Sequence, residues 1–181
     1  MTTIITTALE SLYLLLPAAI ANMAPVFAAK YDWLPQLAKP VDRGTGFLGE
    51  HKTIRGFAVG TIAGSATGLL QYTLAANQLI QSISLFNYSH AVAAALFGAY
   101  LGFAALLGDA AKSYFKRRLS FSPGSPWHPF DQIDFAAGAL LFAWLLVPLT
   151  MAHSILGISI FGVLSYVTSY IGTKLRLKQE L

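Results

Sequence analysis

Five long apolar runs, none of which contains Asp, Glu, Lys or Arg, constrain the fold of this chain more than any other feature. They occupy residues 11–29, 57–76, 89–108, 135–152 and 155–172. Each is close to the roughly 20 residues that an α-helix needs to cross the hydrocarbon core of a bilayer. Only 11% of the residues are charged, whereas soluble domains contain about 25%. We therefore predict an all-α integral membrane protein with five transmembrane helices in one domain, residues 1–181.

The basic residues predict how these helices are oriented. All twelve Lys and Arg residues fall in three segments, residues 30–55, 112–118 and 174–178. The connection between runs two and three contains none, and neither does the connection at His153–Ser154 between runs four and five. Because cytoplasmic loops of membrane proteins carry an excess of Lys and Arg, we predict an external N-terminus and a cytosolic C-terminus. Two functional cytosolic loops then cover residues 30–56 and 109–134.

Most acidic residues lie on the same predicted cytosolic side. Seven of the eight Asp and Glu residues do so, although acidic residues contribute little to the orientation of membrane proteins. Asp109 ends the third run, and Asp131 and Asp134 precede the fourth. These three carboxylates are therefore expected at one membrane depth, and topology does not explain them.

A helix that continued past the third run would place five polar residues on one face. They are Asp109, Lys112, Ser113, Lys116 and Arg117, at offsets of 0, 3, 4, 7 and 8. This is the spacing of one helix face at 3.6 residues per turn. One explanation is structural, with side-chain pairs on a helix surface and with Arg117 and Arg118 anchored at lipid headgroups. The other explanation is a polar wall that binds an anionic molecule.

Asp131 and Asp134 also allow two interpretations. As an N-cap residue and the third helical residue, they would stabilise the start of the fourth helix. Alternatively, three carboxylates beside several cations have the composition of a Mg²⁺–nucleotide site. Mg²⁺ binds carboxylates, phosphates and waters, while Lys and Arg offset the remaining phosphate charge. The short connection between the two helices favours convergence of Asp109 with this pair, and hence the second interpretation.

The first cytosolic loop contains a glycine-rich polar segment, residues 42–56. Its glycines allow backbone N–H groups to approach an anion, and Lys52, Thr53 and Arg55 add donors just before the second run. The segment does not match the P-loop pattern. Asn22 lies between two prolines of the first run, where a polar side chain can face the same cavity.

Glycine recurs every four residues in the second and third runs. The residues are Gly56, Gly60, Gly64 and Gly68, followed by Gly98 and Gly102. Small residues at this spacing let helices approach closely in lipid. We expect them to pack inside the bundle, and a homodimer through this face stays the alternative. The chain has no cysteine, which excludes disulfides, thiolate metal sites and Cys nucleophiles.

Taken together, these residues resemble the CDP-archaeol synthases, CTP-dependent cytidylyltransferases of archaeal lipid synthesis that are related to the phosphatidate cytidylyltransferases. The resemblance covers most of the chain. Its strongest parts are Gly108-Asp109-x-x-Lys112-Ser113-x-x-Lys116-Arg117-Arg118 and Pro129-Phe130-Asp131-Gln132-x-Asp134-Phe135. It is supported by Gly49-x-x-Lys52-Thr53-x-Arg55-Gly56 and by the pattern Pro17, Asn22, Pro25.

The resemblance implies transfer of CMP from CTP to an isoprenoid-ether glycerol phosphate lipid, with release of pyrophosphate. It also implies Mg²⁺ as cofactor, CTP and an anionic glycerol-phosphate lipid as partners, no nucleic acid, and a site on the cytosolic face of the cell membrane. By carry-over, Asp109, Asp131 and Asp134 would hold Mg²⁺ directly or through water, and with Lys116 they would form the catalytic group. The residues that would bind CTP or the lipid phosphate are Asn22, Lys52, Thr53, Arg55, Lys112, Ser113, Lys116, Arg117 and Arg118.

Three other functions stay open on the sequence alone. The same reaction on phosphatidate is one, because an apolar groove does not distinguish isoprenoid ethers from acyl esters. A small transporter is another, although its spans would lack the charged residues that mark ion pathways. A scaffold that binds anionic lipid through its basic face is the third, and it would not need Asp109, Asp131 or Asp134.

Overall fold

The computed structural model is helical throughout the part of the chain that it describes. It describes the backbone of residues 2–49, 51–122 and 125–174, and the side chains of these residues except 2 and 171–174. Within those residues there is no β-strand. The tail residues Arg176 and Lys178, which the sequence assigns to orientation, lie outside the described residues.

The described residues form six α-helices. They are α1 (Thr2–Lys30), α2 (Ile54–Leu74), the short α3 (Gln78–Ser82), α4 (Ala91–Arg118), α5 (Phe130–Ala143) and α6 (Met151–Lys174). Three helical segments in these residues are long and apolar enough to cross a membrane, namely Thr3–Lys30, Ala91–Arg118 and Met151–Tyr170. Of the two other main helices, α2 has 21 residues and α5 only 14. The predicted all-α class with membrane-crossing helices is confirmed.

The predicted boundary between the fourth and fifth runs is wrong. His153 and Ser154 lie inside α6, and the helical chain is instead interrupted between Ala143 and Met151. Pro148 explains the break, because proline has no N–H for a helical hydrogen bond and disfavours a helical conformation in the residue before it. His153 contributes by accepting a hydrogen bond at Nδ1 from the backbone N–H of Thr150, at 3.0 Å. The apolar residues around Pro148 conceal this turn in the sequence.

Glycine faces bring α2 and α4 together inside the bundle. A Cβ atom built on Gly64 would lie 2.5 Å from the backbone oxygen of Gly98, and one on Gly68 would lie 2.2 Å from that of Ala94. These distances are far below van der Waals contact, so only glycine allows the observed helix separation. The predicted packing inside the bundle is therefore confirmed, and this glycine face is not available as a dimer surface.

A second glycine contact joins α4 to α5. A Cβ atom on Gly138 would lie 2.7 Å from the backbone oxygen of Ala104 and 2.8 Å from the Cα atom of Gly108. Gly108 directly precedes Asp109, and its own Cβ would clash with the backbone oxygen of Asp134. This close approach determines how near the polar ends of the two helices lie to each other.

Candidate active site at the ends of α4 and α5

The ammonium group of Lys112 is surrounded by the three predicted carboxylates. Its Nζ atom lies 3.2 Å from Oδ1 of Asp109, 3.0 Å from Oδ1 of Asp131 and 2.6 Å from Oδ2 of Asp134. The Lys112 side chain is only 15% exposed. Carboxylates from two helices therefore converge on one positive charge, as their expected common depth predicts.

Two further lysines complete a compact charged group. Lys52, from the first loop, forms an ion pair with Asp109. Lys116 lies one turn beyond Lys112 on α4, and its Nζ atom is 3.2 Å from Oδ1 of Asp131. We call these six residues the Lys–Asp cluster: Lys52, Asp109, Lys112, Lys116, Asp131 and Asp134. Its three positive and three negative charges balance, which allows such a group to be partly buried.

The α4 part of the cluster follows from helical spacing. Asp109, Lys112 and Lys116 are offset by three and four residues, so their side chains share a face. Ser113 lies on this face as predicted, but it is buried and its hydroxyl donates to the backbone oxygen of Asp109 at 2.9 Å. The Ser113 hydroxyl is therefore bonded to its own helix in this structure.

The start of α5 differs from the predicted capping arrangement. The helix begins at Phe130 with Pro129 as its N-cap residue, so Asp131 is not the cap. Instead, Oδ2 of Asp131 accepts a hydrogen bond from the backbone N–H of Trp127 at 2.5 Å. Asp134 lies beyond the first turn, where a carboxylate no longer reaches the free N–H groups of the helix terminus. Stabilisation of the helix start therefore does not explain the presence of both Asp131 and Asp134.

The two α5 carboxylates lie in different electrostatic surroundings, just before the apolar run that starts at Phe135. Burial, together with the negative charge of Asp109, raises the pKa of Asp134 to about 6, although Lys112 acts in the opposite direction. Partial burial would also raise the pKa of Asp131, but hydrogen bonds from the Trp127 N–H and from Lys112 outweigh it and lower that pKa. Such divergence within one group of carboxylates is common at functional sites.

The first loop folds on itself and delivers Lys52 to the cluster. Asp42 accepts hydrogen bonds from the backbone N–H groups of Leu48 at 3.0 Å and Gly44 at 3.1 Å. The Leu48 bond lowers the pKa of Asp42. The backbone N–H of Val41 donates to the oxygen of Lys52 at 2.8 Å. The loop is thereby closed next to α2, and the Lys52 side chain extends to Asp109.

Two cavities share the Lys–Asp cluster as a wall. The α1–α2 cleft, of about 330 Å³, is lined among others by Asn22, Pro25, Lys52, Thr53, Phe57 and Asp109. The α4–α6 cavity, of about 520 Å³, is lined among others by Lys112, Lys116, His128, Asp131, Gln132 and Tyr166. Because Lys112 binds Asp109, the two cavities meet across this ion pair. Both volumes are in the range of small-molecule sites.

The predicted residues Asn22, Lys52 and Thr53 all line the α1–α2 cleft. Thr53 is also the N-cap residue of α2, and its hydroxyl oxygen accepts from the N–H of Gly56 at 3.1 Å. Its side chain therefore has a structural role at the edge of the cleft.

The three predicted arginines do not join the Lys–Asp cluster. Arg55 binds Asp32 at 2.8 Å, and the Arg117 guanidinium donates from Nη1 to the backbone oxygen of Phe121 at 2.7 Å. Arg118 is exposed and lies over the ring of Phe47. Sequence spacing placed Arg117 on the cluster face, but the turn after α4 provides a nearer carbonyl partner. The contact between Arg118 and Phe47 joins the end of α4 to the first loop.

Several residues that line the cavities receive no role from the sequence, and they include four polar or aromatic side chains next to the cluster residues. His51 lines the α1–α2 cleft, and His128, Gln132 and Tyr166 line the α4–α6 cavity. Gln132 lies inside the Asp131–Asp134 motif. Its position in that motif is the sequence feature that could have indicated a role for it. Tyr166 is distant in sequence, and only the packing of α6 beside α5 brings it to the cavity.

The three carboxylates that were predicted to bind Mg²⁺ bind the ammonium group of a lysine in this structure. Among the described residues, no group of three or more His, Asp or Glu side chains has the arrangement of a metal site. The three carboxylates instead bind the ammonium of Lys112. One oxygen of each carboxylate lies within 3.2 Å of the Lys112 nitrogen, so the cation that these side chains bind together is the lysine ammonium.

Comparison with known proteins connects this site to one family. The family model described as CarS-like, CDP-archaeol synthase, matches residues 1–180. The CDP-archaeol synthase of Aeropyrum pernix is 39% identical over 138 residues, which cover 73% of this chain and 67% of that protein. The CDP-archaeol synthase of Pyrobaculum islandicum is 31% identical over 173 residues, which cover 92% of this chain and 94% of that protein.

A solved structure has the same fold. It is described as "Structural insight into an intramembrane enzyme for archaeal membrane lipids biosynthesis", and it matches with a TM-score of 0.71 and 32% sequence identity. The match covers 90% of this chain and 94% of the solved one. Because the family model spans nearly all of the sequence and the fold agrees over the same extent, this chain belongs to the CDP-archaeol synthase family.

Proposed function

We propose that this protein is a membrane cytidylyltransferase that transfers CMP from CTP to the phosphate of an isoprenoid-ether glycerol phosphate lipid. The observation that carries the proposal is the convergence of three carboxylates and three lysines on the wall shared by two cavities. A reaction between two polyanions needs fixed cations that reduce their repulsion, and each reactant would approach these cations from one of the two cavities. The names of the relatives support the ether lipid over phosphatidate.

The proposed transfer of CMP requires the two phosphate groups to be positioned next to each other, and it needs no general base. A phosphate monoester has a second pKa of about 6, so the lipid phosphate is largely a dianion at pH 7. One of its oxygens attacks the α-phosphorus of CTP and forms a new P–O bond. The bond from that phosphorus to the oxygen bridging to the β-phosphate breaks, and pyrophosphate leaves with the electron pair. The obstacle is charge repulsion, which fixed cations reduce.

The lysines supply that charge in the proposal. Lys112 and Lys116 face the α4–α6 cavity, where they would bind the phosphates of CTP. Lys52 faces the α1–α2 cleft, where it would bind the lipid phosphate. The two reacting phosphates would then meet at Asp109 and Lys112, which form the boundary between the two cavities.

The α1–α2 cleft also suits a lipid in its other residues. Pro25, Phe57 and Leu106 line it beside the polar Lys52 and Asp109. Outside the cleft, α1 exposes Met23 and Phe27 with about half of each side chain accessible. An apolar wall leading to a lysine matches a molecule with hydrocarbon chains and a phosphate head.

The carboxylates fit Mg²⁺ by their chemistry. Mg²⁺ prefers oxygen ligands and commonly combines one or two carboxylates with substrate phosphates. Asp109, Asp131 and Asp134 would hold it, since their oxygens already surround one positive charge. When bound, Mg²⁺ would neutralise phosphate charge in the transition state. Lys112 would then be released from the carboxylates toward the phosphates.

We also propose a multi-pass arrangement with the cluster at the cytosolic face of the cell membrane. α1, α4 and α6 would cross the bilayer, accompanied by α2 and the shorter α5. The Lys and Arg residues of two of the three basic segments, 30–55 and 112–118, lie in the described part of the chain, and the Lys52–Asp109 ion pair brings these segments together at one end of this arrangement, as the positive-inside rule favours. CTP is a cytosolic nucleotide and the lipid phosphate stays at headgroup depth, so their meeting place would be this end of α4 and α5.

The experiment is pyrophosphate release by the purified protein in lipid nanodiscs with CTP and MgCl₂. We expect release only when an isoprenoid-ether glycerol phosphate is added, together with formation of the CDP-lipid. Phosphatidate in place of the ether lipid tests the tail preference in a separate arm. Release that does not depend on lipid phosphate, or no release with either lipid, would refute the proposed function.

A further inference from the structure

The connection between α2 and α4 contains a motif that the proposed reaction does not use. Asn87 is followed by Tyr88 and Ser89, and Asn-x-Ser, with any residue except proline in the middle, is the sequence in which asparagine receives an N-linked glycan. The chain has two other asparagines, Asn22 and Asn77, and neither is followed by Ser or Thr two positions later. A motif this short also occurs by chance, so its accessibility and its side of the membrane decide whether it is usable.

The segment exposes the two side chains that the motif requires and buries the residue between them. Asn87 and Ser89 are exposed, whereas Tyr88 is buried. Side chains that alternate in this way are typical of an extended segment, in which residues i and i+2 share a face. The Asn87 carboxamide and the Ser89 hydroxyl therefore lie on the same side of the chain. Neither of these two groups makes a hydrogen bond in the part of the chain that the structure describes.

Tyr88 fixes the direction in which the segment faces. Its hydroxyl donates a hydrogen bond to Oε1 of Gln71 in α2, at 2.8 Å. Its ring makes edge-on contacts with Tyr13, Phe86 and Phe97. Because the middle residue of the motif is held inside the bundle, the residues on either side of it face outward. Both of these outer side chains line a cavity of about 720 Å³, which leaves room beside them for a sugar.

The motif lies at the opposite end of the bundle from the Lys–Asp cluster. Asn87 directly precedes α4, which begins at Ala91, and the cluster residue Asp109 lies near the other end of the same helix. From Ala91 to Asp109 the helix rises by about 27 Å at 1.5 Å per residue, close to the roughly 30 Å of the hydrocarbon core. With the cluster at the cytosolic face, as proposed above, Asn87 lies at the external surface, where N-linked glycans are attached.

We propose that Asn87 is the acceptor of an N-linked glycan on the external face of the membrane. This inference rests on the orientation given with the proposed function. The donor is an oligosaccharide linked to a lipid phosphate, presented by a glycan-transferring enzyme of the host that recognises the Ser89 hydroxyl. Nδ2 of Asn87 forms a bond to the anomeric carbon of the first sugar and gives up a proton. The bond from that carbon to the phosphate oxygen breaks, and the lipid phosphate leaves with the electron pair.

The test is mass spectrometry of the intact protein, purified from an archaeal host that N-glycosylates its own surface proteins. We expect the mass of one glycan above that of the chain. Asn87→Gln and Ser89→Ala should each lose this mass completely, whereas Ser89→Thr should keep it, because threonine also completes the motif. Asn77→Gln is the matched control and should keep the glycan, since Asn77 lies on the same connection but lacks the hydroxyl residue.

Cysteine labelling measures the orientation separately, because the chain has no cysteine of its own. Leu79→Cys, at an exposed position of α3, should react with a membrane-impermeant maleimide in intact cells. Lys39→Cys, in the first loop, should react only after the membrane is opened. A wild type without a glycan, although Leu79→Cys is labelled from outside, overturns the inference, and so does a glycan that persists in Asn87→Gln.

These outcomes differ from those that test the proposed reaction. Labelling of Lys39→Cys in intact cells refutes the orientation and the glycan acceptor together, whatever the turnover. Asn87→Gln should release pyrophosphate at the wild-type rate, because Asn87 lies at the far end of the bundle from the Lys–Asp cluster. Absence of lipid-dependent pyrophosphate release in a glycosylated wild type refutes the reaction and supports the acceptor role of Asn87.

Discussion

The substitution Lys112→Met tests whether the ammonium of this lysine occupies the place of a divalent cation. In the wild type, Lys112 binds three carboxylates while its side chain is 15% exposed. Methionine keeps most of the side-chain volume and removes the charge, leaving three carboxylates opposed only by Lys52 and Lys116. Removing one partner of a buried ion pair costs about 3–5 kcal/mol. Because the group is partly solvated, we expect a loss of about 2–3 kcal/mol.

Mg²⁺ should reverse this loss in the variant. An ion that binds only the folded state at 100 times its Kd stabilises it by about 2.7 kcal/mol, which is close to the expected deficit. In the wild type the ammonium competes for the same oxygens, so Mg²⁺ without nucleotide should stabilise the protein much less. Lys112→Met should also release pyrophosphate at least about 100-fold more slowly, since the phosphates lose a cation.

The assay is thermal unfolding in detergent micelles, with EDTA or increasing MgCl₂ and without nucleotide. Lys39→Met is the control, because Lys39 is exposed in the first loop and outside the Lys–Asp cluster. Its unfolding temperature should respond to Mg²⁺ as the wild type does. An equal response to Mg²⁺ in Lys112→Met and the wild type would show that the carboxylates do not form the cation site.

Three further substitutions test other parts of the account by pyrophosphate release and unfolding temperature. Asp109→Asn should lower lipid-dependent turnover by at least about 100-fold in a folded protein, and turnover within threefold of wild type would contradict its role. Gly138→Val should destabilise the protein by at least about 1–3 kcal/mol and reduce turnover, because its side chain meets the backbone of Ala104; unchanged stability would refute the close-packing argument. Arg118→Met should keep turnover within about threefold, since Arg118 packs on Phe47 outside the cluster, and a large loss would place it in the site.

The spacing of residues along α4 was sufficient to predict the part of the Lys–Asp cluster that lies on this helix. Asp109, Lys112 and Lys116 share a face because helix geometry fixes their offsets, and α4 does continue to Arg118 as that argument requires. The convergence of Asp131 and Asp134 with them also follows from the short connection and the common depth. What the sequence does not indicate is the contact between Gly108 and Gly138 that brings these two helix ends into ion-pair distance.

Other contacts of the site could not be predicted, because a charged side chain has several possible partners and the sequence does not show which of them lies nearest. Lys112 was predicted to bind phosphate, yet in the protein alone the carboxylates are its nearest anions. Arg55 was grouped with Lys52, but Asp32 lies closer to its guanidinium. The turn at Pro148 was misplaced because the residues around it are as apolar as the helices it separates. Gln132 and Tyr166 come together only through the packing of α5 and α6.

The location of the metal tests the central claim most directly. Crystals grown with CTP and MnCl₂, measured at an X-ray energy where manganese scatters anomalously, would locate Mn²⁺ in place of Mg²⁺. We predict an anomalous peak among the oxygens of Asp109, Asp131 and Asp134, with the Lys112 ammonium moved from them to the triphosphate. A peak at another place, with Lys112 still bound to the three carboxylates while CTP is present, would contradict the account.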